Sequence, residues 1–228
     1  MIRRAFTLLM LAPSAIAVAQ APPPPALVAT ASVAYIEVAP SEVRRTIGIL
    51  QTYREAALKA PGIGRIETLQ QIGRPNLFAI EETWSDAASL QAHLASAGAK
   101  KLRDDLQSAL ISAFDQRLLA PVTVQAARGS LSDQSIVVLT HADTVDRSGS
   151  VPAMLQELAA GARREGGNVL FDVTVQPNRT NHYTLIEAWS DQKAYESHVV
   201  TENTKKFRTA FAPTSGALYD ERLYKRVN

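Results

Sequence analysis

The stretch EETWSDAASLQAH, residues 81–93, returns later in the chain as IEAWSDQKAYESH, residues 186–198. Trp84, the Ser85–Asp86 pair and His93 are all repeated at a single offset of 105 residues. A period this long indicates duplicated domains rather than a solenoid of short repeats. The chain has 228 residues, which is enough for two domains of about a hundred residues each.

The repeat extends well beyond the quoted stretch when the offset is held fixed. Asn76 falls on Asn181, Glu82 falls on Glu187, and residues 114–118 fall on residues 219–223. The sequence therefore predicts two copies of one unit, at residues 31–126 and 133–228.

Hydrophobic periodicity predicts the first elements of each copy. Residues 33–38 and 136–141 are short and rich in β-branched side chains, which is typical of strands. Apolar residues then recur at helical spacing over residues 43–53 and 151–162, so a helix follows. Strict alternation over residues 169–175, matched by a weaker pattern over 66–72, predicts a second strand.

The repeated tryptophans mark the end of a third strand. Ser85 and Ser190 are predicted to cap the helix that comes next, with an acidic residue in its first turn. A last strand begins near Phe114 and Tyr219. The resulting order, β-α-β-β-α-β, is the ferredoxin-like arrangement of the α+β class. Because such a unit leaves one sheet face uncovered, we expect the two units to pack sheet to sheet, giving a monomer with an internal pseudo-dimer.

The N-terminus has the features of a secretory signal peptide. Arg3 and Arg4 precede an apolar run and then small residues, which predicts a leader over residues 1–19 and a Pro-rich lead over residues 20–30. We therefore expect an exported protein, periplasmic or secreted, with no membrane anchor after cleavage. Removal of the two arginines leaves 22 basic and 22 acidic residues, so charge gives no reason to expect nucleic-acid binding. The absence of cysteine excludes disulfides and thiolate chemistry.

The pattern Glu82-x-Trp84-Ser85-Asp86 with His93, repeated as Glu187-x-Trp189-Ser190-Asp191 with His198, resembles the antibiotic biosynthesis monooxygenase domain. That family belongs to the dimeric α/β-barrel superfamily, so the resemblance implies that the two tandem units form a pseudo-dimeric α/β barrel. It also implies oxidation of a small aromatic, quinol or anthrone-type molecule by O2, without a bound cofactor and without a metal.

Oxygenation without a cofactor needs a base near neutrality and an apolar pocket, because the substrate must lose a proton before it can reduce oxygen. Histidine suits the first role. The predicted catalytic residues are His93 and His198, and the predicted substrate-binding residues are Asn76, Trp84, Asn181 and Trp189.

Structural interpretations of the same residues stay open. The tryptophans are also typical of core aromatics, the two histidines could satisfy local backbone groups, and Glu82 and Glu187 share the tryptophans' strand face, where a carboxylate could be buried. The alternative function is a non-catalytic exported scaffold for ligand binding or interaction.

Two histidines do not repeat. His141 aligns with Val38 and His182 with Leu77, so they either make the second copy chemically distinct or face solvent. Haem-degrading relatives on this fold use an asparagine on the first strand. The segments VAYIEVA and SIVVLTHA contain none, which counts against that branch.

Overall fold

A computed structural model describes residues 27–227. The predicted leader and the first part of the Pro-rich lead therefore lie outside the described residues. The first unit comprises β1 Ala31–Glu37, α1 Val43–Ala57, β2 Ile63–Gln71, β3 Leu77–Trp84, α2 Ala87–Leu94, α3 Ala97–Leu106 and β4 Asp115–Thr123. The second comprises β5 Ile136–Thr144, α4 Val151–Ala162, β6 Asn168–Gln176, β7 Arg179–Trp189, α5 Gln192–Val199, α6 Glu202–Phe211 and β8 Ser215–Arg226.

The eight strands close into one barrel in the order β1-β3-β2-β8-β5-β7-β6-β4. Each unit contributes a four-stranded antiparallel sheet, and the two sheets face each other across the barrel interior. Their edges are joined by hydrogen bonds between β4 and β6 and between β2 and β8. This architecture confirms the predicted fold class, two ferredoxin-like units forming a pseudo-dimeric α/β barrel. Closure also leaves no sheet edge free to pair with another chain among the described strands.

Side chains alternate between two environments along every strand. One face packs against the helices and forms a separate apolar cluster in each unit, around Leu50 and Phe78 in the first and around Leu155 and Phe171 in the second. The opposite face lines the barrel interior, where the apolar side chains Leu69, Leu119 and Leu139 form a third cluster. Among residues 27–227, no helix combines the length and apolar character that a membrane crossing requires.

Strand register corrects one predicted equivalence. Tyr35 lies opposite Asp115 and Ala79, and His141 lies opposite Asp220 and Thr184. His141 therefore occupies the position of Tyr35, not that of Val38, because the offset between the copies is one residue larger on the first strand than downstream. The predicted match of His182 with Leu77 is consistent with the register.

The helix after the third strand is capped one residue later than predicted. Asp86 and Asp191 are the N-caps, and their carboxylates accept hydrogen bonds from the backbone N–H groups of Ser89 and Ala194. Ser85 instead donates its hydroxyl to the Asp86 carboxylate. A carboxylate is the stronger acceptor for the N–H groups at a helix start, so the serine has a supporting role.

Candidate functional site

Each unit contains one buried Glu-Trp-His cluster between its sheet and its helices. In the first unit the Trp84 indole N–H donates to Glu82 Oε2 at 3.1 Å, and the Trp84 and His93 ring centroids are 4.3 Å apart. In the second unit Trp189 donates to Glu187 at 3.0 Å, and its ring lies 4.5 Å from His198. The fixed offset in the sequence thus corresponds to a repeated three-dimensional arrangement.

Local structure explains why these side chains meet. The glutamate and the tryptophan are two residues apart on one strand, so both point to the helix side of the sheet. The short helix after the strand then places its histidine over the indole ring. Gly62 allows this close approach in the first unit, because it has φ +79° and a Cβ there would lie 2.5 Å from the Ser89 hydroxyl.

In the first unit the histidine belongs to a longer chain of polar groups. His93 Nε2 lies 2.6 Å from the Tyr53 hydroxyl on α1 and 3.3 Å from Glu82 Oε2. Ser32 on β1 donates its hydroxyl to Glu82 Oε1 at 3.1 Å. Contacts from neighbouring elements therefore hold the cluster in place, which is the preorganisation that a catalytic site requires.

Burial shifts the pKa values of the hydrogen-bonded groups Tyr53, His93 and Glu82. It raises the pKa of Glu82 to about 7 and lowers the pKa of the His93 imidazole. Burial, together with the nearby Glu82 carboxylate, raises the pKa of Tyr53 well above its ordinary value. The Tyr53 hydroxyl is therefore protonated near neutral pH, and it shares a hydrogen bond with Nε2 of the His93 ring. When the neutral ring carries its proton on Nδ1, Tyr53 donates to Nε2, and that nitrogen is the proton acceptor.

A mainly apolar pocket of about 500 Å³ opens beside His93. Tyr53, Trp84 and His93 line it, and small side chains including Ala56, Ala60 and Gly98 give it its width. Its size is within the range of about 300 to 1,000 Å³ that is usual for small-molecule sites.

The second unit fills the equivalent space. At the 105-residue offset Glu165 replaces Ala60 and Asn203 replaces Gly98. Glu165 lies 2.9 Å from His198 Nδ1, and the Asn203 amide donates to the Leu158 carbonyl at 3.0 Å. A Cβ added to Gly161 would lie 2.1 Å from the Asn203 amide nitrogen, so the packing here is tight. His198 is consequently held by a carboxylate in a closed core.

The buried Glu187 predicts a specific pH dependence of stability. Burial raises its pKa from 4.5 to about 8. A raised folded-state pKa contributes stability below the unfolded-state pKa and loses it as pH rises through the folded-state pKa. The free energy of unfolding should therefore fall as pH rises from about 4.5 to 8, because Glu187 loses its proton over this range.

The E187Q variant should lack this pH-dependent decrease in stability when urea unfolding is followed from pH 5 to 9. The exposed E196Q variant is the control, and parallel curves for all three proteins would contradict the prediction.

The two asparagines predicted to bind substrate lie away from the Glu-Trp-His clusters. Asn76 immediately precedes β3, whereas Trp84 ends that strand, and the Asn76 amide donates to the Val38 carbonyl at 3.3 Å. Asn181 donates to the Thr144 carbonyl at 3.3 Å. The structure thus brings together Trp84 with His93 and Trp189 with His198, but not the asparagines with them.

Sequence reasoning missed three residues that shape the sites: Tyr53, Glu165 and Asn203. The available signal was the fixed offset itself, which aligns Tyr53 with Leu158, Ala60 with Glu165 and Gly98 with Asn203. Positions where the side chains of two copies of one unit differ in size and polarity indicate where their sites have diverged.

Over residues 27–227, no group of three or more His, Asp and Glu side chains is arranged to hold a metal.

Comparisons with known proteins show the family and the fold. The family model for antibiotic biosynthesis monooxygenase matches residues 30–105 and 146–210, together more than half of the chain. No curated protein matches the sequence.

Solved structures share the whole fold at low sequence identity. A candidate monooxygenase of Fusobacterium nucleatum is 13% identical, with a TM-score of 0.81 over 89% of this chain and 94% of its own. One of Lactobacillus acidophilus is 13% identical, with a TM-score of 0.75 over 88% and 95%. An anthrone oxidase-like protein is 11% identical, with a TM-score of 0.64 over 87% and 91%. At these identities the likeness shows the fold.

Proposed function

Because this chain belongs to the antibiotic biosynthesis monooxygenase family, we propose that it oxidises a small aromatic, quinol or anthrone-type molecule with O2. The reaction takes place in the pocket beside His93. One observation carries the proposal: the buried Tyr53–His93–Glu82 chain lies against a mainly apolar cavity of about 500 Å³.

The pocket suits a planar aromatic substrate. Small side chains give it width, the Trp84 indole supplies a flat wall, and its lining is mainly apolar. A bound aromatic substrate would displace water from this lining, which strengthens electrostatic interactions with the charge that develops on the substrate. One of the structural neighbours is an anthrone oxidase-like protein, and this likeness agrees with the proposed substrate class.

The hydrogen-bonded groups Tyr53, His93 and Glu82 serve to remove a proton from the substrate. The substrate proton moves to His93 Nε2, either directly or through the Tyr53 hydroxyl 2.6 Å away. Glu82 Oε2 lies 3.3 Å from the same nitrogen, so its carboxylate form stabilises the imidazolium that results. The substrate anion is then electron-rich enough to reduce oxygen.

The oxidation balances without any further reductant. For an anthrone, the ring CH2 gives one proton to His93 and its carbanion reduces O2, forming a carbon–oxygen bond and a hydroperoxide. Loss of the second proton with cleavage of the O–O bond yields the ketone and water. One oxygen atom enters the product and the other leaves as water.

Oxygen uptake tests the proposal directly. Purified protein without added metal or flavin should accelerate oxygen consumption by an anthrone or a reduced quinol. With ¹⁸O2, one labelled atom should appear in the quinone product formed from the anthrone. No uptake across a panel of such donors would favour the alternative function, a non-catalytic scaffold. A specific observation already supports that role for one half, since Glu165 and Asn203 fill the pocket of the second unit.

Export is part of the proposal. It is supported by Arg3 and Arg4, the apolar run that follows and the small residues before Gln20. Intact-mass measurement of secreted or periplasmic material should show an N-terminus at Gln20 or Pro22. Recovery of the full-length chain from the cytoplasm alone would contradict export.

A further inference from the structure

One position on the first strand of each unit distinguishes the surroundings of the two buried glutamates. Strand register places Ser32 directly opposite Glu82, whereas Val138 lies directly opposite Glu187. Residues that oppose each other across an antiparallel pair lie on the same face of the sheet, so each is a neighbour of the glutamate in its own unit. The hydroxyl of the first unit is therefore replaced by an apolar side chain in the second.

The serine completes the hydrogen bonding of the Glu82 carboxylate. The Ser32 hydroxyl donates to Oε1 at 3.1 Å, and the Trp84 indole donates to Oε2 at 3.1 Å. Each carboxylate oxygen therefore has its own donor, and Oε2 is held 3.3 Å from His93 Nε2. Two fixed donors restrict rotation of the carboxylate away from the imidazole ring.

The valine cannot supply the matching donor to Glu187. The Trp189 indole donates to Glu187 Oε2 at 3.0 Å, and the same oxygen lies 3.7 Å from His198 Nε2, too far for a hydrogen bond. His198 pairs through its other ring nitrogen, Nδ1, with Glu165 at 2.9 Å. The strand glutamate that contacts the histidine in the first unit is thus displaced from that role in the second.

A second difference between the units lies next to the first. The Gln116 side-chain amide donates to Ser32 Oγ at 3.4 Å, which leaves the serine proton directed toward Glu82. At the 105-residue offset the matching residue is Glu221, whose carboxylate lies 2.9 Å from Arg208. A neutral amide in the first unit is therefore replaced by an anion in the second.

Both differences favour the charged carboxylate in the first unit. Burial raises the pKa of Glu82 to about 7 and the pKa of Glu187 to about 8. The hydrogen bond from Ser32 lowers the first pKa, and the nearby Glu221 carboxylate raises the second. Other groups next to these carboxylates are Trp84, Glu81, Tyr53 and His93 in the first unit and Trp189, Arg208, Glu165 and His198 in the second.

We propose that Ser32 is a positioning residue for the oxidation, holding Glu82 as a carboxylate against His93, and that Val138 removes this arrangement from the second unit. The inference rests on the proposed function, because Glu82 affects the rate only if its carboxylate stabilises the His93 imidazolium. Ser32 acts through Glu82 rather than on the substrate. The exchange at this one strand position also gives a reason, besides the filled pocket, why the reaction belongs to the first unit.

The first test compares S32V with S32T in the full protein. Valine and threonine have nearly the same shape, but threonine keeps the hydroxyl donor. Loss of a donor disfavours the charged form of a carboxyl group, so the pKa of Glu82 should rise by about one pH unit in S32V and stay nearly unchanged in S32T. ¹³C NMR of protein labelled at its glutamate carboxyl groups, with E82Q to assign the Glu82 signal, measures this pKa directly.

The second test follows the oxidation rate against pH. A higher pKa of Glu82 moves the acidic limb of the kcat profile to higher pH. S32V should therefore be about 3- to 10-fold slower than the unchanged protein at pH 7 and approach its rate at pH 9, with little change in KM. V138T makes the reverse exchange in the second unit and is the matched control, with the rate of the unchanged protein. If S32V does not fold, S32A removes the hydroxyl without adding bulk.

An unmoved pKa of Glu82 in S32V and S32A, or equal shifts in S32V and S32T, would overturn the proposal. A rate loss in S32V that is the same at pH 7 and pH 9 would also overturn it, because the serine would then act through packing. The NMR titration does not depend on oxygen uptake. A shift in S32V without any oxidation by the unchanged protein would thus support the role of Ser32 toward Glu82 and count against the proposed function alone.

Discussion

Replacing His93 with glutamine should lower the rate of anthrone oxidation by roughly 10²- to 10⁴-fold, whereas H198Q should leave the rate close to that of the unchanged protein. Glutamine keeps hydrogen-bonding capacity near Tyr53 but cannot accept a proton. His93 lies on an open pocket, while His198 is held by Glu165 in a filled core. The two histidines occupy the same place in a repeated unit, so each variant is the matched control for the other.

Three measurements separate this outcome from a structural effect. Thermal unfolding should show that H93Q remains folded at the assay temperature. The kcat of H93Q should fall far more than its KM rises, because the lost proton acceptor acts in the transition state rather than in binding. E82Q should also slow the reaction, since it removes the charge that stabilises the imidazolium. Equal losses for H93Q and H198Q, or a loss in H198Q alone, would contradict the assignment of the reaction to the first unit.

The sequence was sufficient to predict the fold because its evidence was duplicated. Trp84 with Trp189 and His93 with His198 share one offset, and weak strand patterns in the first copy were reinforced by strict alternation over residues 169–175. Burial of Glu82 and Glu187 also agrees with their placement on the tryptophans' strand face. Each of these inferences needed only strand periodicity and the alignment of the two copies.

The features that distinguish the two sites depend on tertiary contacts. Tyr53 contributes only because its hydroxyl reaches from α1 to His93 on α2, and its burial is also that of an ordinary core aromatic. The contact between the rings of Tyr35 and His141, whose centroids lie 5.2 Å apart, could not be predicted either. It forms only when the barrel closes, because the two residues lie on strands of different units that share no hydrogen bonds. Asn76 and Asn181 were predicted from their repetition, but repetition preserves turn geometry as readily as chemistry, and their bonds are to backbone carbonyls.

A buried charge cluster also joins the two units across the barrel. Arg65 on β2 makes two hydrogen bonds to Glu81 on β3, at 2.9 and 2.7 Å, and a third to Asp172 on β6 at 3.1 Å. Both carboxylate side chains are only 3% exposed. Although burial opposes the charged form, the two carboxylates together raise the pKa of Arg65 above its ordinary value. Because β2 and β6 are not neighbours in the barrel, this contact spans its interior.

Replacing Arg65 with methionine should therefore lower the free energy of unfolding by about 3 to 5 kcal/mol, because it leaves two buried carboxylates without a counter-charge. The control is R74M, since Arg74 is 60% exposed and lies 3.6 Å from Glu37, a surface contact worth about 0 to 1 kcal/mol.

Burial already raises the pKa of Asp172, and loss of Arg65 should raise the pKa of this carboxyl group further. The stability deficit of R65M should then shrink as pH falls and the carboxyl groups take up protons. Adding E81Q and D172N to R65M should likewise recover much of the stability at pH 7. A deficit that is the same at pH 4 and pH 8, and that the amide substitutions do not relieve, would show that Arg65 acts through packing of its aliphatic stem instead.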